Sequence, residues 1–190
     1  MHDPGAATPE NSVPEGGSAR WHLRILGAVE LRDARGNVSR LPSRAAALLL
    51  AQLALAPQRQ HAREELADRL WPGAAAEVGR NRLRQTLSVL RTLLDPPGQA
   101  LHPAVQADSR GVWLTRGVLV CDGYSLRRAL DAQDAALAAR SYQGELLPGF
   151  FEDWVQEERR HLAARADGLV RPLAVASPPQ EPAVWRAVAA

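Results

Sequence analysis

The order of hydrophobic patterns along the chain predicts an α+β fold. Three observations carry this reading. Short stretches of period two open the patterned part of the chain, three helical patterns follow, and a two-stranded hairpin pattern comes next. Beyond the hairpin the patterning turns wholly helical.

Each element has a local cause. Residues 1–19 are rich in Pro, Gly, Ser and acids and read as a disordered leader. His22-Leu23-Arg24-Ile25-Leu26 alternates as a strand does, and Gly27 breaks it. Val29-Glu30-Leu31 and Val38-Ser39-Arg40-Leu41 read as two further strands, joined by the turn residues Ala34-Arg35-Gly36-Asn37, so a small antiparallel sheet is expected. Ser43 is a good N-cap for a helix that Pro57 ends. That helix is almost entirely Ala and Leu, which marks it as buried on all sides. A short link over residues 58–61 leads to a second helix, Ala62–Leu70, closed by Trp71-Pro72-Gly73. The third helix, Glu77–Leu94, carries Leu83, Leu87, Leu90 and Leu94 in one narrow stripe. Residues 104–107 and 112–115, joined by Asp108-Ser109-Arg110-Gly111, form the hairpin. Helices are then expected over Ser125–Ala139 and Phe151–Ala166, with a loop over Tyr142–Phe151.

Strands, three helices and a hairpin are, in that order, the parts of a winged helix-turn-helix with an N-terminal sheet. The expected organisation is a leader (1–19), a winged-helix unit (20–118), a short helical unit (119–171) and a flexible tail (172–190).

Charge is unevenly spread. All 23 basic residues are arginine, a bias that suggests high-GC bacterial coding. The formal net charge of +2 hides −3 over residues 1–19, +7 over 20–118 and −2 over 119–171. The positive segment is where a polyanion would be met. Cys121 stands alone, so no intrachain disulfide is possible, in keeping with a cytoplasmic location. No membrane span or secretory signal is expected.

The third helix is the candidate interface. Its side opposite the leucines holds Asn81, Gln85, Ser88 and Thr92, with Arg84 and Arg91 at one margin and Arg82 at the other. Asn and Gln can pair bidentately with adenine, and Arg with guanine, in the major groove. Asn81, Arg84, Gln85 and Ser88 are therefore the candidate base contacts. Arg44, Arg63, Arg80, Arg82 and Arg91 are candidate phosphate contacts, together with helix N-termini and with Thr92. Arg110 at the hairpin tip can enter the minor groove, and His61, just before a helix, can meet a phosphate. Trp71, Trp113 and Trp154 read as packing residues. The acids Glu152-Asp153 and Glu157-Glu158 read as a salt-linked solvent face with Arg159 and Arg160.

Several of these residues carry a family resemblance. Leu41-Pro42-Ser43-Arg44, Arg63-Glu64-Glu65-Leu66, Leu70-Trp71-Pro72 and the run Asn81–Arg91 resemble the Streptomyces antibiotic regulatory protein family, whose DNA-binding part is an OmpR-type winged helix. Tyr142–Phe150, followed by Asp153-Trp154-Val155 and Glu158-Arg159, resembles the opening of that family's bacterial transcriptional activator domain. The resemblance covers roughly residues 21–168. The family's activator domain is a stack of tetratricopeptide-like helical repeats, and this chain carries only its first two or three helices.

The resemblance implies a sequence-specific transcriptional activator. It implies binding to promoter repeats in double-stranded DNA, homodimerisation on DNA and contact with RNA polymerase. No cofactor or metal is expected: the histidines lack ligand spacing and no Gly-rich phosphate loop is present. An enzyme is not expected. The alternatives are a protein-interaction module, or a short competitor that occupies operators without activating.

Overall fold

The computed structural model describes residues 19–96 and 102–176, with side chains as far as residue 169. It contains thirteen regular elements of mixed α and β type. The expected leader lies outside the described residues except for Ala19, which is buried.

Strand β1 (Trp21–Arg24) buries Trp21 and Leu23 and exposes His22 and Arg24, as its alternation predicts. It pairs antiparallel with β2 (Glu30–Asp33), which pairs with β3 (Val38–Ser39). The β2–β3 turn is closed by Asp33, whose carboxylate accepts bonds from the Arg35 and Asn37 backbone N–H groups and from the Asn37 amide. These donors hold the Asp33 carboxyl below its ordinary range. A fourth strand, β7 (Leu119–Cys121), lies parallel to β1 on the other side. The sheet is therefore mixed and not purely antiparallel as expected. Its last strand comes from almost a hundred residues downstream, a separation that a parallel pair permits.

Helix α1 (Arg44–Leu55) begins where Ser43 Oγ accepts the Ala46 N–H at 3.1 Å. Every residue from Ala46 to Leu55 is buried, including Gln52. The segment expected as a plain link instead ends in a strand, β4 (His61–Ala62), against β6 (Gly111–Leu114). A Cβ at Gly111 would stand 2.6 Å from the His61 carbonyl oxygen, so only glycine admits this close approach. With β5 (Val105–Ala107) the hairpin becomes a three-stranded sheet of order β4-β6-β5. Helices α2 (Arg63–Leu70) and α3 (Ala76–Leu94) lie between β4 and β5 in sequence. Asp95 caps this region by accepting the Ala104 N–H and an Arg20 guanidinium, and Trp21 Nε1 donates to the Leu94 carbonyl at 3.0 Å.

The single helix expected over 125–139 is two. Helix α4 (Asp122–Asp131) stops at Gln133, whose φ is +55°, and Asp134 then caps α5 (Ala135–Ser141) by accepting the Leu137 N–H. Helix α6 runs over Asp153–Ala176, so the expected tail at 172 begins inside it. Residues 177–190 lie outside the described residues. The expected boundary at 118/119 does not separate two cores. One apolar cluster runs from Trp21 through α1 and α3 to Val155, Leu162 and Ala166. Loop 142–152 is stitched to the first unit by the Leu26–Leu146 bridge and by bonds from Gly27 N to Glu145 O and Leu147 N to Ile25 O. The acids around α6 also serve that seam, where a solvent face was expected. Glu152 pairs with Arg44 on α1, Glu158 with Arg127 on α4, and Arg159 reaches the carbonyls of Leu146, Leu147 and Phe150.

Asp122 is the polar pivot of the seam. Its carboxylate accepts the backbone N–H groups of Ile25, Leu26 and Gly123 at 2.7–3.1 Å. Burial outweighs these donors and holds the carboxyl above its ordinary value. Asp122→Ala would strand the N–H groups, and a loss of about 3 kcal/mol is expected in the urea unfolding free energy.

His61 is 3% exposed. Burial, then the charge of Arg59, lowers its pKa below the ordinary 6.5. A buried neutral imidazole resists protonation more than the unfolded chain does. Stability should therefore be constant above pH 6.5 from this group and fall as pH drops from there toward the lowered folded pKa. Unfolding curves between about pH 7 and pH 5 should show a shallower loss in His61→Leu; an equal slope in both proteins would refute the assignment.

Candidate nucleic-acid interface

Helix α3 owes its orientation to its leucines. Leu83, Leu87, Leu90 and Leu94 are buried, with Gly79 and Thr86 beside them. A Cβ on Gly79 would lie 3.2 Å from the Ala67 Cβ, so glycine lets α3 pack tightly on α2. Thr86 Oγ1 donates to the Arg82 carbonyl, which satisfies its buried hydroxyl. The stripe leaves Asn81, Arg84, Gln85, Ser88 and Thr92 exposed on the far side. From Asn81 to Ser88 these side chains span about 10 Å along the axis, a length that fits within a major groove.

The exposed face is partly organised. Arg84 Nη2 donates to Asn81 Oδ1 at 2.7 Å, which joins two of the candidate base contacts. That bond leaves the Asn81 amide NH2 and the rest of the guanidinium fork available. Thr92 Oγ1 donates to the Ser88 carbonyl one turn back. The side chains of Gln85 and Ser88 make no hydrogen bond among the described residues. Arg80 and Arg82 are exposed and equally unengaged there. Among exposed residues α3 carries Arg80, Arg82 and Arg84 against a single acid, Glu77, at its N-terminus. Glu77 suits the helix dipole and makes that N-terminus a poor phosphate seat. The first turn of α2 likewise holds Glu64 and Glu65.

Other predicted residues serve the frame. Arg91 is half-buried, and its Nε donates to the Val105 carbonyl at 3.1 Å, tying α3 to β5. Arg63 Nε donates to the Asp108 carbonyl at 2.7 Å, tying α2 to the hairpin turn. The turn itself is held by Asp108 Oδ1, which accepts the Arg110 and Gly111 N–H groups. These donors keep the Asp108 carboxyl below its ordinary range. Arg110 is thus presented, exposed, at the tip of a fixed turn.

Two predicted phosphate contacts are placed elsewhere. His61 is buried in β4 and offers no surface to a phosphate. Arg44 bonds both Glu152 carboxylate oxygens and the Gly149 carbonyl, and its guanidinium stacks 4.3 Å from the Phe150 ring centre. Its donors are committed to the seam with α6, so it leaves the phosphate set. The pairing also draws the Glu152 carboxyl below its ordinary value despite partial burial.

Two residues on α3 were not singled out by sequence reasoning. Val78 and Val89 are 43% and 44% exposed and flank Arg82. Apolar side chains there suit the thymine methyl group. The helical wheel already places both outside the leucine stripe. Attention to polar residues alone passes over them.

No family model and no curated protein matches the chain. A solved structure does: Mycobacterium tuberculosis EmbR, determined in complex with a low-affinity phosphopeptide. The two are 20% identical with a TM-score of 0.54, and the match covers 83% of this chain and 43% of EmbR. The chain thus spans less than half the length of that protein. At this identity the likeness is one of fold, a mixed α and β arrangement of helices and two sheets shared by both.

Proposed function

We propose that this chain is a sequence-specific DNA-binding transcriptional regulator. In this reading residues 20–118 form a winged helix-turn-helix, α3 is the recognition helix and the β5–β6 hairpin is the wing. The observation that carries it is the exposed face of α3: amide and hydroxyl groups in the middle, arginines at the margins, and one acid only at the start. Asn81, Arg84, Gln85 and Ser88 read base edges. Arg80 and Arg82 hold phosphates, with Arg63, Arg91 and Thr92 adding contacts from the flanks. Arg110 reaches the minor groove. The family resemblance in sequence and the fold likeness to EmbR support the same reading.

Activation through RNA polymerase, as a homodimer on promoter repeats, is the expected output. The helices α4–α6 would supply the polymerase contact. Their packing into the same core as α1 also suits occupation of an operator without activation. A promoter reporter run beside an operator-binding assay separates these two outputs. No helix among the described residues is long and apolar enough to cross a membrane.

Selection from random duplexes should yield a preferred site. On that site Gln85→Ala and Arg84→Ala should each cost roughly 1–3 kcal/mol relative to a scrambled duplex, because base readout is lost. Unaltered discrimination in both variants would remove α3 from the reading role. Arg80→Ala and Arg82→Ala should weaken all duplexes alike. Each should make the slope of log K against log salt shallower by about 0.9. An unchanged slope would show that these arginines face no phosphate.

A further inference from the structure

Five buried side-chain polar atoms in the described residues have no hydrogen-bond partner: both amide atoms of Gln52, both ring nitrogens of His61, and the indole nitrogen of Trp154. Buried polar groups are nearly always paired, so five orphans call for an explanation. They are not scattered. All three side chains line one cavity of about 390 Å³, where α1, β4 and α2 meet α4 and α6. Gln52 and His61 are 4% and 3% exposed. The Ala56 carbonyl lies near the His61 ring without hydrogen-bond geometry.

The orphan atoms describe their own complement. A Gln amide offers one donor edge and one acceptor edge side by side. A neutral imidazole offers one of each, and an indole offers a donor. A carboxylate or phosphate would satisfy the donors and leave the acceptors stranded. The wall charges give no preference for an ion either. Arg59, Arg69 and Arg127 line the cavity and are matched by Glu157 and Glu158 on it and Glu65 behind it. The volume falls in the range of small-molecule sites and far exceeds that of a single water.

We propose that this cavity is a binding site for an uncharged, planar polar molecule bearing adjacent hydrogen-bond donor and acceptor groups, an amide, lactam or nitrogen heterocycle, held by Gln52, His61 and Trp154. Gln52 pairs with the donor–acceptor edge, Trp154 donates to a second acceptor, and His61 supplies the remaining pair. The site stands apart from α3 and does not depend on the DNA-binding reading.

The test uses the full chain labelled with nitrogen-15 and two minimal probes, adenine and nicotinamide. Acetate serves as the charged control. At least one probe should give a saturable shift of the Trp154 indole N–H and of the His61 ring signals, and acetate should give none. Gln52→Met fills the same space without the orphan atoms. It should bind the probe about tenfold more weakly and unfold at the same temperature or higher. Trp154→Phe, which removes one donor, is a second variant should the first fail to fold, and it too should bind more weakly. The proposal is overturned if neither probe saturates, if acetate shifts the same signals, or if both variants bind as the parent does. Slow exchange of the orphan groups with water alone, with no probe effect, would assign the cavity to solvent and also overturn it.

Discussion

Burial of α1 on every side is the constraint on which the rest of the structure depends. From Ala46 to Leu55 no residue reaches solvent, so this helix must be enclosed by other elements. The N-terminal sheet, α2 and α3, the hairpin strand β6 and finally β7 with α4 provide that enclosure. Each fully buried leucine contributes on the order of 2 kcal/mol of transfer free energy, which makes the helix the main drive to collapse. The one polar side chain at the centre, Gln52, is an expense inside that core. It is the kind of local inconsistency that functional sites tolerate.

Once α1 is enclosed, the outward face of α3 follows. Leu83, Leu87, Leu90 and Leu94 must face α1 and α2, so the side chains half a turn away must face out. Arg91 and Arg63 then act as fasteners, tying α3 to β5 and α2 to the hairpin turn. A rigid α3 and a fixed hairpin tip are what a groove-reading surface requires, because base contacts tolerate little displacement.

The seam between the two halves uses a different chemistry. Arg44 with Glu152 and Arg127 with Glu158 are partly exposed ion pairs, individually worth little. Their effect is positional: with the Asp122 carboxylate on β1's end and Arg159 on three loop carbonyls, they set how α6 lies against α1. That placement creates the cavity around Gln52, His61 and Trp154. The helical part is thus a wall of the first unit's core and not a separate appendage.

Local pattern was enough for the elements that carry it. The Ser43 cap, the apolar α1, the leucine stripe of α3 and the Asp108–Gly111 turn are written within windows of a few residues, and all appear in the structure. The outward set on α3 was legible for the same reason. What depended on partners far along the chain was not. Strands β4 and β7 have two and three residues, too few to show a period, and exist only because β6 and β1 stand beside them. His61 looked like a surface residue until β6 covered it, and Arg44 looked free until Glu152, over a hundred residues away, claimed it. The break at Gln133 hides in an Ala-rich run that reads as one helix. Sequence determined which faces are apolar and where helices begin; tertiary structure decided which polar groups are spent on the frame and which remain for a ligand, because that depends on what each side chain meets in space.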